Sequence, residues 1–140
     1  MRRIGFDIDG VIMWLFFFFL TGAKAILGKL HDEGFEIYAV TARYERWIGV
    51  TKWWFRVNGL GFVIVIPMGE SKHLQVEDFL LFVDNKEEHL WRMQDEELTI
   101  ACLFDPKGRE HNDFKVLSTW WGIYQYVHQI AARAEEIATG

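Results

Sequence analysis

"RIGFDIDGVIMWLFFFFLTGAKA", residues 3–25, supports two incompatible readings, and the choice between them decides the fold. As a secretory signal it has Arg2 and Arg3 at its head, an apolar run from Val11 to Leu20, and a small-x-small triplet, Ala23 to Ala25, that fits a cleavage site. As the opening of an α/β protein it is a short apolar strand, with Asp7 at its end and Asp9 two residues further on. The signal reading puts two acids where targeting needs positive charge, and cleavage after Ala25 would discard the strand together with both of them. The strand reading is the consistent one. It makes the chain a cytoplasmic protein.

Outward from this stretch, short apolar segments alternate with amphipathic segments of helical length, which is the α/β pattern. Strands are expected near Arg3 to Asp7, Phe35 to Val40, Phe62 to Ile66, Leu80 to Asp84 and Leu98 to Phe104. Helices are expected over about Thr21 to Glu33, ending at Gly34, and over Tyr44 to Val57, ending at "NG". A short helix should start near Ser71, a fourth should cover Lys86 to Glu97, and the last Thr119 to Ala138, capped by Ser118 or Thr119. Its apolar stripe comprises Trp120, Ile123, Tyr124, Val127, Ile130, Ala134 and Ile137. The expected fold is a three-layer, Rossmann-like parallel sheet with helices on both faces, formed by residues 1–140 as one domain, with residues 10–20 as an apolar loop or hairpin.

Composition narrows the function. The 140 residues carry a net charge of −5 with both signs interspersed, and no Lys/Arg cluster offers the footprint that nucleic acid requires. The ten-residue run from Val11 to Leu20 is half the roughly 20 residues needed to cross a bilayer as a helix, so no membrane partner is expected. Cys102 sits in "LTIACLFD" and reads as a buried apolar thiol. His31, His73, His89, His111 and His128 show no metal-ligand spacing and read as surface or core residues, His73 drawing interest only from its neighbour Lys72.

In parallel sheets ligands bind beyond the carboxyl ends of the strands, so the residues closing each apolar run are the informative ones. Here they are Asp7 with Asp9, Thr41, Lys72 after the third strand, and Asp84. Each alone has a plain role as a turn, cap or surface residue. Together they suit phosphoryl chemistry. Residues two apart on an extended chain lie roughly 6 to 7 Å apart on one side, so Asp7 and Asp9 can flank one transferring group, one attacking and the other handling the proton. A carboxylate attacking a phosphate dianion needs a divalent cation and a fixed positive charge, roles that fit Asp84 as metal ligand and Lys72. Oxygen ligands favour Mg2+. Thr41 offers a hydroxyl, and the turn from Ala42 offers backbone N–H groups, to phosphate oxygens.

The segments "FDIDGV", "YAVTAR", "ESKH" and "LFVDNKEEHL" resemble, in order, the four motifs of the haloacid dehalogenase superfamily. The resemblance implies an aspartyl-phosphate phosphatase: Asp7 the nucleophile and a metal ligand, Asp9 the general acid/base and a metal ligand through its carbonyl, Thr41, Ala42 and Lys72 the phosphate site, and Asp84 a ligand of Mg2+. "TAR" and the "TWWGIYQYV" tail are similar to the nucleotidase-like branch, which makes Arg43 a substrate-binding candidate. The chain departs from the family at Asn85, where many members carry a second acid; Asn85 could bind through its amide, or Glu88 supply the charge, and the plain alternative is a helix cap and a surface residue. It departs again at residues 10–20, too few for a cap domain. The implied protein is a minimal-cap Mg2+-dependent phosphomonoester hydrolase acting on a small phosphorylated metabolite such as a nucleotide. The alternative is an oligomeric or partner-binding module whose catalysis is weak or lost.

Two further features are open to either reading. The polar stretch 105–113 falls on the expected active-site side, where Asp105, Arg109 or His111 could reach a substrate or simply face water. The run from Trp14 to Leu20 presents more aromatic area than one side of a small core can absorb, and a homo-oligomer joined through it is expected. Trp53, Trp54, Trp120 and Trp121 read as packing residues.

Overall fold

A computed structural model describes residues 2–15, 17–67, 79–94 and 99–139. Lys72, His73, Phe16 and the helix expected near Ser71 lie outside the described residues. The main sheet has six strands, all parallel, in the order β5-β4-β1-β6-β7-β8: β1 (Arg3–Asp7), β4 (Glu36–Thr41), β5 (Ile64–Pro67), β6 (Phe79–Asp84), β7 (Ile100–Phe104) and β8 (Lys115–Leu117). A separate antiparallel pair, β2 (Met13–Trp14) with β3 (Phe18–Phe19), forms a hairpin within residues 10–20. Four α-helices cover the rest: α1 (Ala23–Asp32), α2 (Ile48–Val57), α3 (Glu87–Gln94) and α4 (Trp120–Thr139), with a 3-10 turn at Glu45–Trp47 leading into α2.

Alternation of side chains makes the three layers. Along β4, Ile37 and Ala39 enter the larger core beneath α1, α2 and α4, while Tyr38 and Val40 enter a second core that Leu90 of α3 completes. Both faces are thus buried, and the strands read as nearly continuous apolar runs for that reason. Gly5 has a steric role: a Cβ there would lie 2.8 Å from the Phe82 ring, so a side chain in β1 would push that ring out of the second core.

Helix ends follow local chemistry. α1 stops at Gly34, whose φ of 96° no ordinary side chain adopts without strain, and the Thr119 hydroxyl accepts from the Gly122 amide at 2.9 Å to cap α4. The fold differs from expectation in two places. A sixth strand, β8, follows the polar stretch, and the stripe of α4 leaves the core early. Trp120, Ile123, Val127 and Ile130 are buried as their spacing predicts, but Ala131 closes the packed face; Ala134 is exposed and Ile137 is 83 % exposed. A 20-residue helix spans about 30 Å, longer than the three-residue β8 and its neighbours can cover.

From β1 the chain steps outward to β4 and β5, then returns to the far side of β1 for β6, β7 and β8. The reversal opens a crevice at the carboxyl ends of β1, β4 and β6. Asp7, Thr41 and Asp84 are the last residues of those three strands. Among the described residues no helix is long and apolar enough to cross a membrane.

Candidate active site

Asp7, Thr41 and Asp84 are all buried. Carboxylate oxygens of Asp7 and Asp84 and a ring nitrogen of His89 lie within 4.8 Å of one another. His89 Nδ1 is 2.8 Å from Asp84 Oδ2; an ionised Asp84 can only accept, which puts the proton on Nδ1. The other oxygen, Oδ1, accepts from the Lys86 amide at 3.0 Å. Burial, then the nearby charges of Asp84 and Asp9, push Asp7 up to about 9. Burial also raises Asp84, against the opposing pull of the Lys86 amide and His89.

Asn85 reaches over this pair. Its inward-facing amide atom lies 3.1 Å from Asp84 Oδ1, 3.2 Å from Asp7 Oδ2 and 3.2 Å from the backbone oxygen of Asp9. With nitrogen inward the amide donates to all three. With oxygen inward four oxygens converge, an arrangement that only a cation between them would make favourable. Gly10 makes room for the amide: its φ is 91°, and a Cβ on it would collide with the amide group of Asn85 in either orientation. Gly10→Ala is therefore expected to expel Asn85 from the carboxylates. For the Mg2+ site proposed below, a titration followed by thermal shift should show apparent affinity weakened by roughly 10-fold or more, in the range seen when groups supporting a metal site are lost.

Asp9 points the other way. It is exposed, and Arg43 grips it with two bonds, Nη2 to Oδ1 at 2.8 Å and Nε to Oδ2 at 3.0 Å. Arg43 Nη1 also donates to Thr51 Oγ1 at 3.0 Å, and the Thr51 hydroxyl donates to the Trp47 carbonyl at 2.7 Å. The side chain proposed to meet substrate is thus engaged in locking Asp9 to α2. Thr41 Oγ1 accepts from the Arg43 amide at 3.0 Å, which fixes the hydroxyl and turns the Ala42 peptide to the surface.

Glu88 is exposed and takes no part in the cluster; the neighbouring His89 is the residue of α3 that does. His89 was passed over in the sequence because its signal is not a metal spacing. It lies five residues after Asp84, where the first turn of a helix brings a side chain back over the strand end. His111 meets Glu87 instead, Nε2 to Oε2 at 3.2 Å, and Arg109 pairs with Asp105 at 2.8 Å. Cys102 is fully buried and its thiol is pushed up to about 12 by burial, as an inert core cysteine should be.

Beside the cluster lies a cavity of about 960 Å3, sharing Gly10 and Asn85 as its wall. It runs between the hairpin, the start of α1, the end of β7 and the start of α4, and its lining includes Trp14, Phe19, Trp120 and Trp121. Trp120 is buried against Phe6, with Nε1 donating to the Val11 carbonyl at 2.8 Å. Trp54 Nε1 donates to the Phe17 carbonyl at 2.9 Å and tethers the hairpin to α2.

The chain matches no family model, no curated protein and no solved structure. What the site does is read from its own residues.

Proposed function

We propose that the protein is a phosphomonoester hydrolase of the haloacid dehalogenase type, acting in the cytoplasm through an aspartyl-phosphate on Asp7. The observation that carries this reading is the convergence of Asp7 Oδ2, Asp84 Oδ1 and the Asp9 backbone oxygen on one amide atom of Asn85, at 3.1 to 3.2 Å. The donors are hard oxygens at the mouth of a crevice, a set that suits Mg2+ better than a softer metal. Asp7, Asp84, the Asp9 carbonyl and Asn85 with its oxygen inward would hold the ion. Bound there, Mg2+ supplies the positive charge that ionises Asp7 and offsets charge on the phosphoryl oxygens.

The chain's own residues supply the rest. An Asp7 oxygen attacks phosphorus as the bond to the leaving oxygen breaks, and Asp9 delivers a proton to that oxygen. Asp9 then takes a proton from water as the water oxygen attacks phosphorus, releasing inorganic phosphate and restoring the Asp7 carboxylate. Arg43 holds both Asp9 oxygens in the free protein, so Asp9 has to leave Arg43 for both transfers. Thr41, with its hydroxyl already aimed by the Arg43 amide, contributes to holding the phosphoryl group, a task Lys72 shares by resemblance. The test is phosphate release from a panel of phosphomonoesters, nucleoside monophosphates and sugar phosphates included, with Mg2+ and with chelator. Metal-dependent release supports the reading; folded protein without release from any member overturns it in favour of a binding module. The bidentate hold of Arg43 on Asp9 favours that second reading, because it competes with proton exchange.

A homo-oligomer through the hairpin belongs to the same proposal. Trp14 pairs with Phe18 across the hairpin, both exposed, while Phe17 meets Trp54 and Phe19 meets Phe55 on the inner side. Leu15 at the tip is 69 % exposed and holds φ 47°, a conformation that costs a branched apolar residue about 1 kcal/mol or more. Leu15→Asn/Phe18→Ser should dissociate the oligomer with little loss of stability, while Phe17→Ser/Phe19→Ser should unfold the hairpin. Light scattering on the wild type decides first: a monomer at micromolar concentration would sink the interface.

A further inference from the structure

Resting on the hydrolase reading above, we infer that the cavity beside Asn85 receives the leaving group of the substrate, and that this group is an uncharged aromatic ring system. Asn85, which spans the carboxylates, and Gly10 beside it form one wall of the cavity, so a group bonded to a phosphoryl on Asp7 has the cavity next to it to extend into. Its volume, about 960 Å3, is at the upper end of small-molecule sites of roughly 300–1,000 Å3 and far exceeds what a phosphoryl group alone fills.

The lining selects the chemistry. Among the described residues, Asp105 and Arg109 are the only charged ones in the lining, and they pair with each other at 2.8 Å, so neither is left to attract a second ionic group. Trp14 and Trp121 line it while keeping more than half of their surface exposed, whereas Trp120 beneath is buried. Trp121 is stacked on Tyr124, ring centroids 5.3 Å apart at 20°, so its indole plane is already set by one partner, and as an exposed residue of the lining it keeps ring surface for a ligand to stack on. Offset stacking of this kind favours an aromatic group about 2- to 10-fold beyond burial, and an aliphatic chain cannot gain it.

The test separates the pocket from the chemistry. With Mg2+, kcat/KM is compared for 1-naphthyl phosphate, phenyl phosphate and ethyl phosphate, and binding of the non-hydrolysable 1-naphthylmethylphosphonate is measured by calorimetry. Trp121→Ala and Trp121→Phe are run beside the wild type. Expected is a naphthyl-to-ethyl preference of about 100-fold or more, cut roughly 10-fold by Trp121→Ala and largely restored in Trp121→Phe. Equal hydrolysis of all three esters overturns the pocket assignment and leaves the hydrolase intact. Phosphonate binding that depends on Trp121, without turnover of any ester, upholds the pocket and defeats the hydrolase. A preference that survives Trp121→Ala unchanged, or phosphonate that does not bind at all, overturns the inference.

Discussion

Asp7→Asn is expected to lower kcat by at least about 10³-fold and to make the protein more stable at the same time. The first effect follows from chemistry, since an amide of nearly the same shape is a poor nucleophile. The second follows from placement. Asp7 is buried beside Asp84 and Asp9, and its acidity falls from the ordinary 3.8 to about 9. Between those values the folded chain holds a proton that the unfolded chain has released, so stability drops as pH rises from about 4 to about 9. Asparagine carries no such proton. The variant should gain roughly 1–3 kcal/mol near neutral pH, and its melting temperature should vary less with pH than that of the wild type. Differential scanning fluorimetry across that range, in chelator, measures both. Adding Mg2+ should raise the wild-type midpoint most at high pH, where the ion replaces the proton, and should do less for Asp7→Asn. A variant that turns over near the wild-type rate would eliminate the covalent route.

Trp120→Ala should produce the largest loss of stability, about 3–5 kcal/mol, seen as a lower urea midpoint. Trp120 is 1 % exposed, tilts against Phe6 of β1 at a centroid distance of 4.9 Å, and donates to the Val11 carbonyl. One side chain therefore joins α4, the central strand and the base of the hairpin. Trp120→Phe separates the contributions: it keeps most of the packing but leaves the Val11 carbonyl without that donor, for a loss of about 1–3 kcal/mol. A Trp120→Ala protein as stable as the wild type would show that the hairpin and α4 are held elsewhere.

Much of the sheet was legible in the sequence because its central strands are buried on both faces and appear as unbroken apolar runs closed by a polar residue. "IGFD", "EIYAVT" and "FLLFVD" each mark their own ends. β8 was not legible: "KVL" is three residues long at the sheet edge, too short to show a period. The hairpin strands are shorter still, two residues each, and follow from contacts with Trp54, Phe55 and Trp120 that no local pattern encodes. At the site, strand ends predicted where Asp7, Thr41 and Asp84 stand, but not the direction in which their neighbours point. Arg43 turning onto Asp9 and His89 folding back onto Asp84 are tertiary events, as is the dependence of Asn85 on the missing side chain of Gly10.

The position of β1 also sets the order in which the chain can mature. Ile4 pairs with Ile37 on one side and with Leu81 on the other. During synthesis the first pairing can form as soon as β4 emerges, while the second waits for more than forty further residues and closes a loop over twice as long, at an added entropic cost of about 0.7 kcal/mol. Until then the far edge of β1 is an unpaired apolar template, open to pairing with another nascent chain. Asp7 and Asp84 meet only when that later pairing is made, so the carboxylate repulsion falls on the β1–β6 pairing and not on the earlier β1–β4 pairing. A divalent cation present at that moment would act on the yield of folded protein as well as on its stability once folded.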